Sequence, residues 1–237
     1  MKIYSKTIIA SVVAVLALNA QATIYSDSTG ETFTGAGGGI LDISSVEVNN
    51  NATDLIFKIN LVGDPVGTDW GKYMIGLDTA PGGDPVSNGW GRPISMSSGM
   101  DYWAGSWVDS GNGVQIHGYS GVWSQIGASG PFAGGPAVPG LSITKGPFYV
   151  EITTPLSLLG LAPGSTFLFD VYTSGGGGGD GAVDALGNPG QSIADWGNSY
   201  NSGNLVNSYT IPTVPEPTSL ALIGIGASLI IGRIRRR

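Results

Sequence analysis

The chain has 237 residues, with 17 acidic against 10 basic side chains, a formal net charge of −7 and no cysteine. That balance argues against nucleic acid and anionic lipid headgroups as partners of the folded part, and the missing cysteine excludes disulfide staples. The length allows one domain with a core of its own, and 40 glycines with only 11% charged residues favour tight turns over long helices.

Lys2 and Lys6 precede an apolar run over residues 8–18 that is broken only by Ser11. Ala20-Gln21-Ala22 follows, placing small residues at the two positions that signal peptidase reads. This order of parts predicts a secretory signal peptide over residues 1–22, cleaved after Ala22. The run is short for a membrane anchor.

Residues 23–212 carry a period of two. Leu55, Phe57, Ile59 and Leu61 alternate with Ile56, Lys58 and Asn60. Phe148, Val150 and Ile152 alternate with Tyr149, Glu151 and Thr153, and Phe167, Phe169 and Val171 alternate with Leu168, Asp170 and Tyr172. Each pattern predicts a strand with one core face and one more solvated face. Further strands are expected over 40–48, 72–77, 102–108, 114–119, 122–126 and 205–211. Ser110-Gly111-Asn112-Gly113 reads as a hairpin turn, and residues 154–160 as one helical turn or a wide connection. The expected fold is all-β, an antiparallel β-sandwich such as a jelly roll.

Aromatic residues gather in the central third. Trp103 and Trp107 share strand parity and so a face, with Trp90 and Trp123 nearby in sequence. An indole gives the CH-rich face of a sugar an apolar platform, and neighbouring polar groups such as Asp101 and Gln115 bind hydroxyls. Trp103, Trp107 and Trp123 are the leading candidates for stacking on polysaccharide. The competing reading places these rings in the core.

The run Gly175-Gly176-Gly177-Gly178-Gly179-Asp180 overlaps a calcium-binding glycine pattern that works by stacking several copies; here there is one. Asp180 and Asp184 are candidate ligands for a structural Ca²⁺, the competing reading being a flexible turn. Asp78 and Asp84 form a second, weaker pair. For catalysis the chain offers one histidine, His117, no cysteine and no nucleophile elbow. The expectation is therefore a non-catalytic protein, with no catalytic residue assigned. A purely structural matrix protein and a glycan-active enzyme with paired carboxylates are the alternatives.

At the end of the chain Pro215-Glu216-Pro217 precedes an apolar stretch over 220–231, and Arg233, Arg235, Arg236 and Arg237 follow. An apolar helix with a cationic stop leaves the arginines on the cytoplasmic side. This order over residues 213–237 resembles the PEP-CTERM sorting signal. The resemblance implies a Gram-negative bacterium that makes exopolysaccharide. Signal peptidase and an exosortase would then act as processing partners, and the C-terminal helix would anchor the chain in the inner membrane at least transiently. It also implies a destination at the cell surface or in the extracellular matrix of a biofilm.

The stretch Asp69-Trp70-Gly71-Lys72-Tyr73-Met74-Ile75-Gly76-Leu77-Asp78-Thr79, followed by Gly82-Gly83-Asp84-Pro85, resembles exported DOMON-like domains. These include family 9 carbohydrate-binding modules and the glucodextranase C-terminal domain. This resemblance implies a β-sandwich of DOMON-like kind with a sugar site and a structural Ca²⁺.

Overall fold

The computed structural model describes residues 22–213. The expectations for the signal peptide (Ala20 included, Ala22 apart) lie outside the described residues. So do those for Pro215, Glu216, Pro217, the apolar helix and Arg233, Arg235, Arg236 and Arg237.

In chain order the strands are β1 (Thr23–Ser26), β2 (Ile43–Asn50), β3 (Asp54–Leu61), β4 (Lys72–Asp78), β5 (Ile94–Ser95), β6 (Tyr102–Trp107), β7 (Gly113–Tyr119), β8 (Trp123–Ser129), β9 (Ser142–Gly146), β10 (Tyr149–Pro155), β11 (Thr166–Ser174), β12 (Asp184–Ala185), β13 (Tyr200–Asn201) and β14 (Asn207–Thr210). A 3-10 turn, Leu156–Leu159, follows β10 and ends at Gly160, whose φ of 63° is left-handed. β5 and β13 form a small parallel pair of their own; of the two larger sheets, one has the order β1-β2-β3-β10-β9 and the other β12-β11-β4-β6-β7-β8, with β14 also paired to β11. Both are antiparallel throughout their strand pairs.

The two sheets enclose the main core. In β3 the period of two is realised in full, with Leu55, Phe57, Ile59 and Leu61 buried and the residues between them partly open. These side chains meet Ile75, Leu77, Val114 and Phe169 from the second sheet in one cluster. Phe169 is its aromatic hub: Tyr25 approaches it edge-on at 5.1 Å and Phe57 at 5.2 Å between ring centroids.

The other face of the second sheet departs from the expected pattern. Met74, Trp103 and Tyr172 alternate with the core residues Ile75, Ala104 and Val171, so their side chains leave the sandwich. They do not meet solvent. The connection from β4 to β6 brings Ile94, Met96 and Met100 over them, and the segment after β11 adds Ala182, Val183, Ile193 and Tyr200. Trp103 stacks on Tyr172 at 5.9 Å in this second cluster. The expected solvated face of β11 is therefore buried, Asp170 and Tyr172 included.

Phe148 also departs from its expected place on a core face. It sits in the turn between β9 and β10 with φ 64° and is 54% exposed. The strand it seemed to begin starts one residue later, at Tyr149. The hairpin at Ser110-Gly111-Asn112 forms as expected between β6 and β7, with three successive positive φ values.

Replacing the hub tests this layering. Phe169→Ala should lower unfolding free energy in urea by about 3–5 kcal/mol, whereas Phe148→Ala should change it by less than about 0.5 kcal/mol.

Candidate functional site

Four acids converge where the first sheet meets the end of the second. Asp27 follows β1, Glu31 lies four residues on, and Asp184 opens β12. Carboxylate oxygens of these three lie within 4.8 Å of one another. Asp42, just before β2, joins them electrostatically: its charge raises the pKa of both Asp27 and Glu31. Asp184 is fully buried, and its two oxygens accept the Ile43 and Ala185 N–H groups at 2.6 and 2.7 Å. Asp27 Oδ1 accepts the Ser28 N–H, and Asp42 Oδ2 the Gly30 N–H. The remaining oxygens are the notable ones. Asp27 Oδ2, both Glu31 carboxylate oxygens and Asp42 Oδ1 are buried without a hydrogen-bond partner among the described residues.

Burial, and after it the neighbouring acids, pushes the Asp184 carboxyl up to about 8 and Asp27 up to about 7. Glu31 and Asp42 are raised chiefly by burial. Among the described residues no side-chain cation answers this charge. The four basic residues within 22–213 are all engaged elsewhere. Lys58 pairs with Glu47, Lys72 with Asp109 and Lys145 with Asp69. Arg92 donates to Ser174 Oγ and to the carbonyls of Asp180 and Gly175. Unpaired buried carboxylates must take up protons or a metal ion. An all-oxygen donor set suits a hard divalent cation, Ca²⁺ or Mg²⁺. A cleft of about 530 Å³ with Ser26, Asp27 and Gly187 among its lining residues lies beside Asp27.

Of the expected pair, Asp184 belongs to this cluster and Asp180 does not. Asp180 Oδ2 accepts the Gly177 N–H at 2.8 Å and its own N–H returns to the Gly177 carbonyl, closing the glycine run as a turn. Asp84 is also structural: it accepts the Val86 and Ser87 N–H groups and the Trp123 indole N–H. Asp78 ends β4 outside the acidic cluster. The partners missed in the sequence, Asp27 and Glu31, lie 157 and 153 residues from Asp184 and in no motif; only the fold unites them.

The aromatic candidates divide. Trp103 has no exposed surface, so the expected stacking platform is a core residue. Its parity mate Trp107 is partly buried against Gly113 and beside Trp90, at 6.5 Å between ring centroids. Trp90 lies over Gly105 and gives its indole N–H to Gln115 Oε1 at 2.7 Å. Trp123 is partly buried, 5.3 Å from Tyr119. Asp101 caps a turn by accepting the Thr79 and Ala80 N–H groups at 2.7 and 2.8 Å. Trp70 and Trp196, not singled out in the sequence, flank the glycine run instead. His117 stands beside Gln115 with its pKa lowered by burial, and no serine pairs with it among the hydrogen bonds of the described residues.

Residues 213–237 match the PEP-CTERM protein-sorting motif. The match is consistent with an exported, surface-associated protein of a Gram-negative exosortase system. No curated protein and no solved structure matches the chain, so the DOMON-like resemblance rests on the quoted residues alone.

The raised carboxyls give a pH signature. Unfolded aspartate titrates near 3.8, so Asp27 and Asp184 hold protons more tightly when folded. Their contribution is full below that value and is lost as pH rises through about 7 to 8. Buried Asp170, also raised to about 7, adds to the same loss. In EDTA the Tm should fall between about pH 5 and pH 8; added Ca²⁺ should restore much of it near pH 8 and little near pH 5. Equal calcium effects at both pH values would contradict the assignment.

Proposed function

We propose that this chain is an exported, non-catalytic β-sandwich of the cell surface or biofilm matrix. In this reading it holds a structural Ca²⁺ at Asp27, Glu31 and Asp184 and contacts extracellular polysaccharide. The observation that carries it is the buried acidic cluster with unpartnered oxygens and, among the described residues, no basic side chain paired with it. Calcium suits that donor set better than magnesium. It accepts irregular oxygen shells, whereas Mg²⁺ demands a near-ideal octahedron and dehydrates reluctantly. The ion would supply the positive charge that the domain's own lysines and arginine do not. It would also tie the segment after β1 to β12, joining the two sheets.

The setting supports polysaccharide. The sorting motif is consistent with export by an exosortase system, and in this reading the exterior it reaches is rich in glycan. Trp107, Trp90 and Trp123 keep partly open indoles, and the Trp90 indole meets the amide of Gln115, the kind of mixture that binds hydroxylated rings. Signal peptidase and exosortase are the processing partners in this reading, with passage through the membrane by the apolar tail. A purely structural matrix role is the second reading. It is favoured by the burial of Trp103 and by the internal use of the Trp90 and Trp123 indole N–H groups.

Sedimentation with the producing bacterium's insoluble exopolysaccharide separates the readings. The full chain should pellet with the polymer in Ca²⁺ and release no reducing ends. Retention in the supernatant would leave the purely structural role, and reducing ends would make the chain a glycan-active enzyme.

A further inference from the structure

The connection between β11 and β12 begins with the glycine run and forms one wall of a second cleft. This cleft encloses about 360 Å³ and is lined by Trp70, Gly175, Gly176, Gly177, Asp180 and Trp196. Its volume lies at the small end of the range for specific small-ligand sites. Both indoles are held in place. Trp70 lies against Gly37 and Trp196 against Gly175, where a Cβ at either glycine would collide with the ring. Trp196 is further braced edge-on by Phe33 at 5.0 Å, and the two indoles meet at 6.1 Å and 64°. Arg92 clamps the loop from beneath through the carbonyls of Gly175 and Asp180, so its guanidinium is buried and turned to the backbone.

Three polar side-chain groups of this cleft have no partner among the described residues. Among the described residues no acceptor meets the indole N–H of Trp70 or Trp196, and neither N–H is buried. Asp180 Oδ2 takes one N–H from Gly177, while no donor among the described residues reaches Oδ1. The sheet tryptophans Trp90 and Trp123, by contrast, spend their N–H groups on Gln115 and Asp84. Gly176, Gly178 and Gly179 face open space, so no side chain closes the mouth.

We infer that this cleft is a subsite for a neutral pyranose ring of an extracellular polysaccharide. The inference rests on the polysaccharide reading above and relocates the contact from the sheet tryptophans to Trp70 and Trp196. The indoles offer apolar walls to the CH-rich ring face, and their N–H groups and Asp180 Oδ1 meet the hydroxyls. Charge selects the sugar: a carboxylate in the cleft of a chain with net charge −7 repels uronate, sulfate and phosphate substituents.

Affinity electrophoresis of the full chain in native gels containing a β-glucan, a galactomannan or alginate tests this. The wild type should be retarded by at least one neutral polymer and not by alginate. Trp70→Ala and Trp196→Ala should each weaken that retardation at least about tenfold, with the exposed Phe148→Ala unaffected. A readout on the wild type guards against loss of fold in the variants. Bound polymer should shield Trp70 and Trp196 from oxidation by N-bromosuccinimide and leave Trp107 as reactive as before. Retardation with protection confined to Trp107 or Trp123 overturns the subsite and keeps the polysaccharide reading. No retardation by any of the three polymers overturns both, and retardation by alginate alone overturns the neutral sugar and keeps the polysaccharide reading.

Discussion

Negative charge that nothing in the domain neutralises is the constraint on which the rest depends. Asp27, Glu31 and Asp184 bring carboxylates together from distant parts of the chain, with Asp42 close behind. Every lysine and arginine of the domain is committed elsewhere. Charges of one sign in a poorly solvated site repel strongly, and their cost is relieved by protonation or by a cation. On the proposed assignment, a cation would draw the N-terminal strand and the short β12 together, while protons would merely remove the repulsion. The same residues would then give two differently braced molecules, one selected by acidity and the other by free calcium.

That brace has a reach beyond its own residues. Asp184 is paired across the ladder with Thr173, and Ser174 and the glycine run follow directly. The connection that leaves β11 and returns as β12 carries Asp180 and the wall of the Trp70–Trp196 cleft. Fixing β12 fixes the base of that connection. Arg92 holds the other side through backbone carbonyls, and Trp196 packs over Gly175. A glycine run would otherwise be among the most freely moving segments of a fold. Here it is clamped at both ends with its tip left open, an arrangement suited to admitting a ligand between rigid walls.

Much of the architecture was legible before any coordinates. Alternation in β3, β10 and β11 follows directly from side chains that point to opposite faces, and turn glycines mark the hairpin after β6. The exceptions have physical causes. Phe148 extends an apolar pattern, yet a tight turn claims it at a left-handed φ. Tyr172 and Trp103 lie on the face that alternation assigns to solvent, and they are buried because two long connections fold back over that face. A pattern of two reports the sheet and is silent about what covers it. The site was harder still. Asp184 was a visible candidate, but its partners come from an N-terminal segment with no motif. Trp196 stands alone in a polar loop until Trp70 is brought beside it.

The most direct test of this account is the metal content of the full chain, purified in calcium-containing buffer near pH 8 and freed of unbound ions by gel filtration. Elemental analysis should return close to one calcium per molecule, and none for Asp184→Ala. A folded wild type that carries no calcium under those conditions would contradict the account, because protons alone would then hold the acidic cluster together.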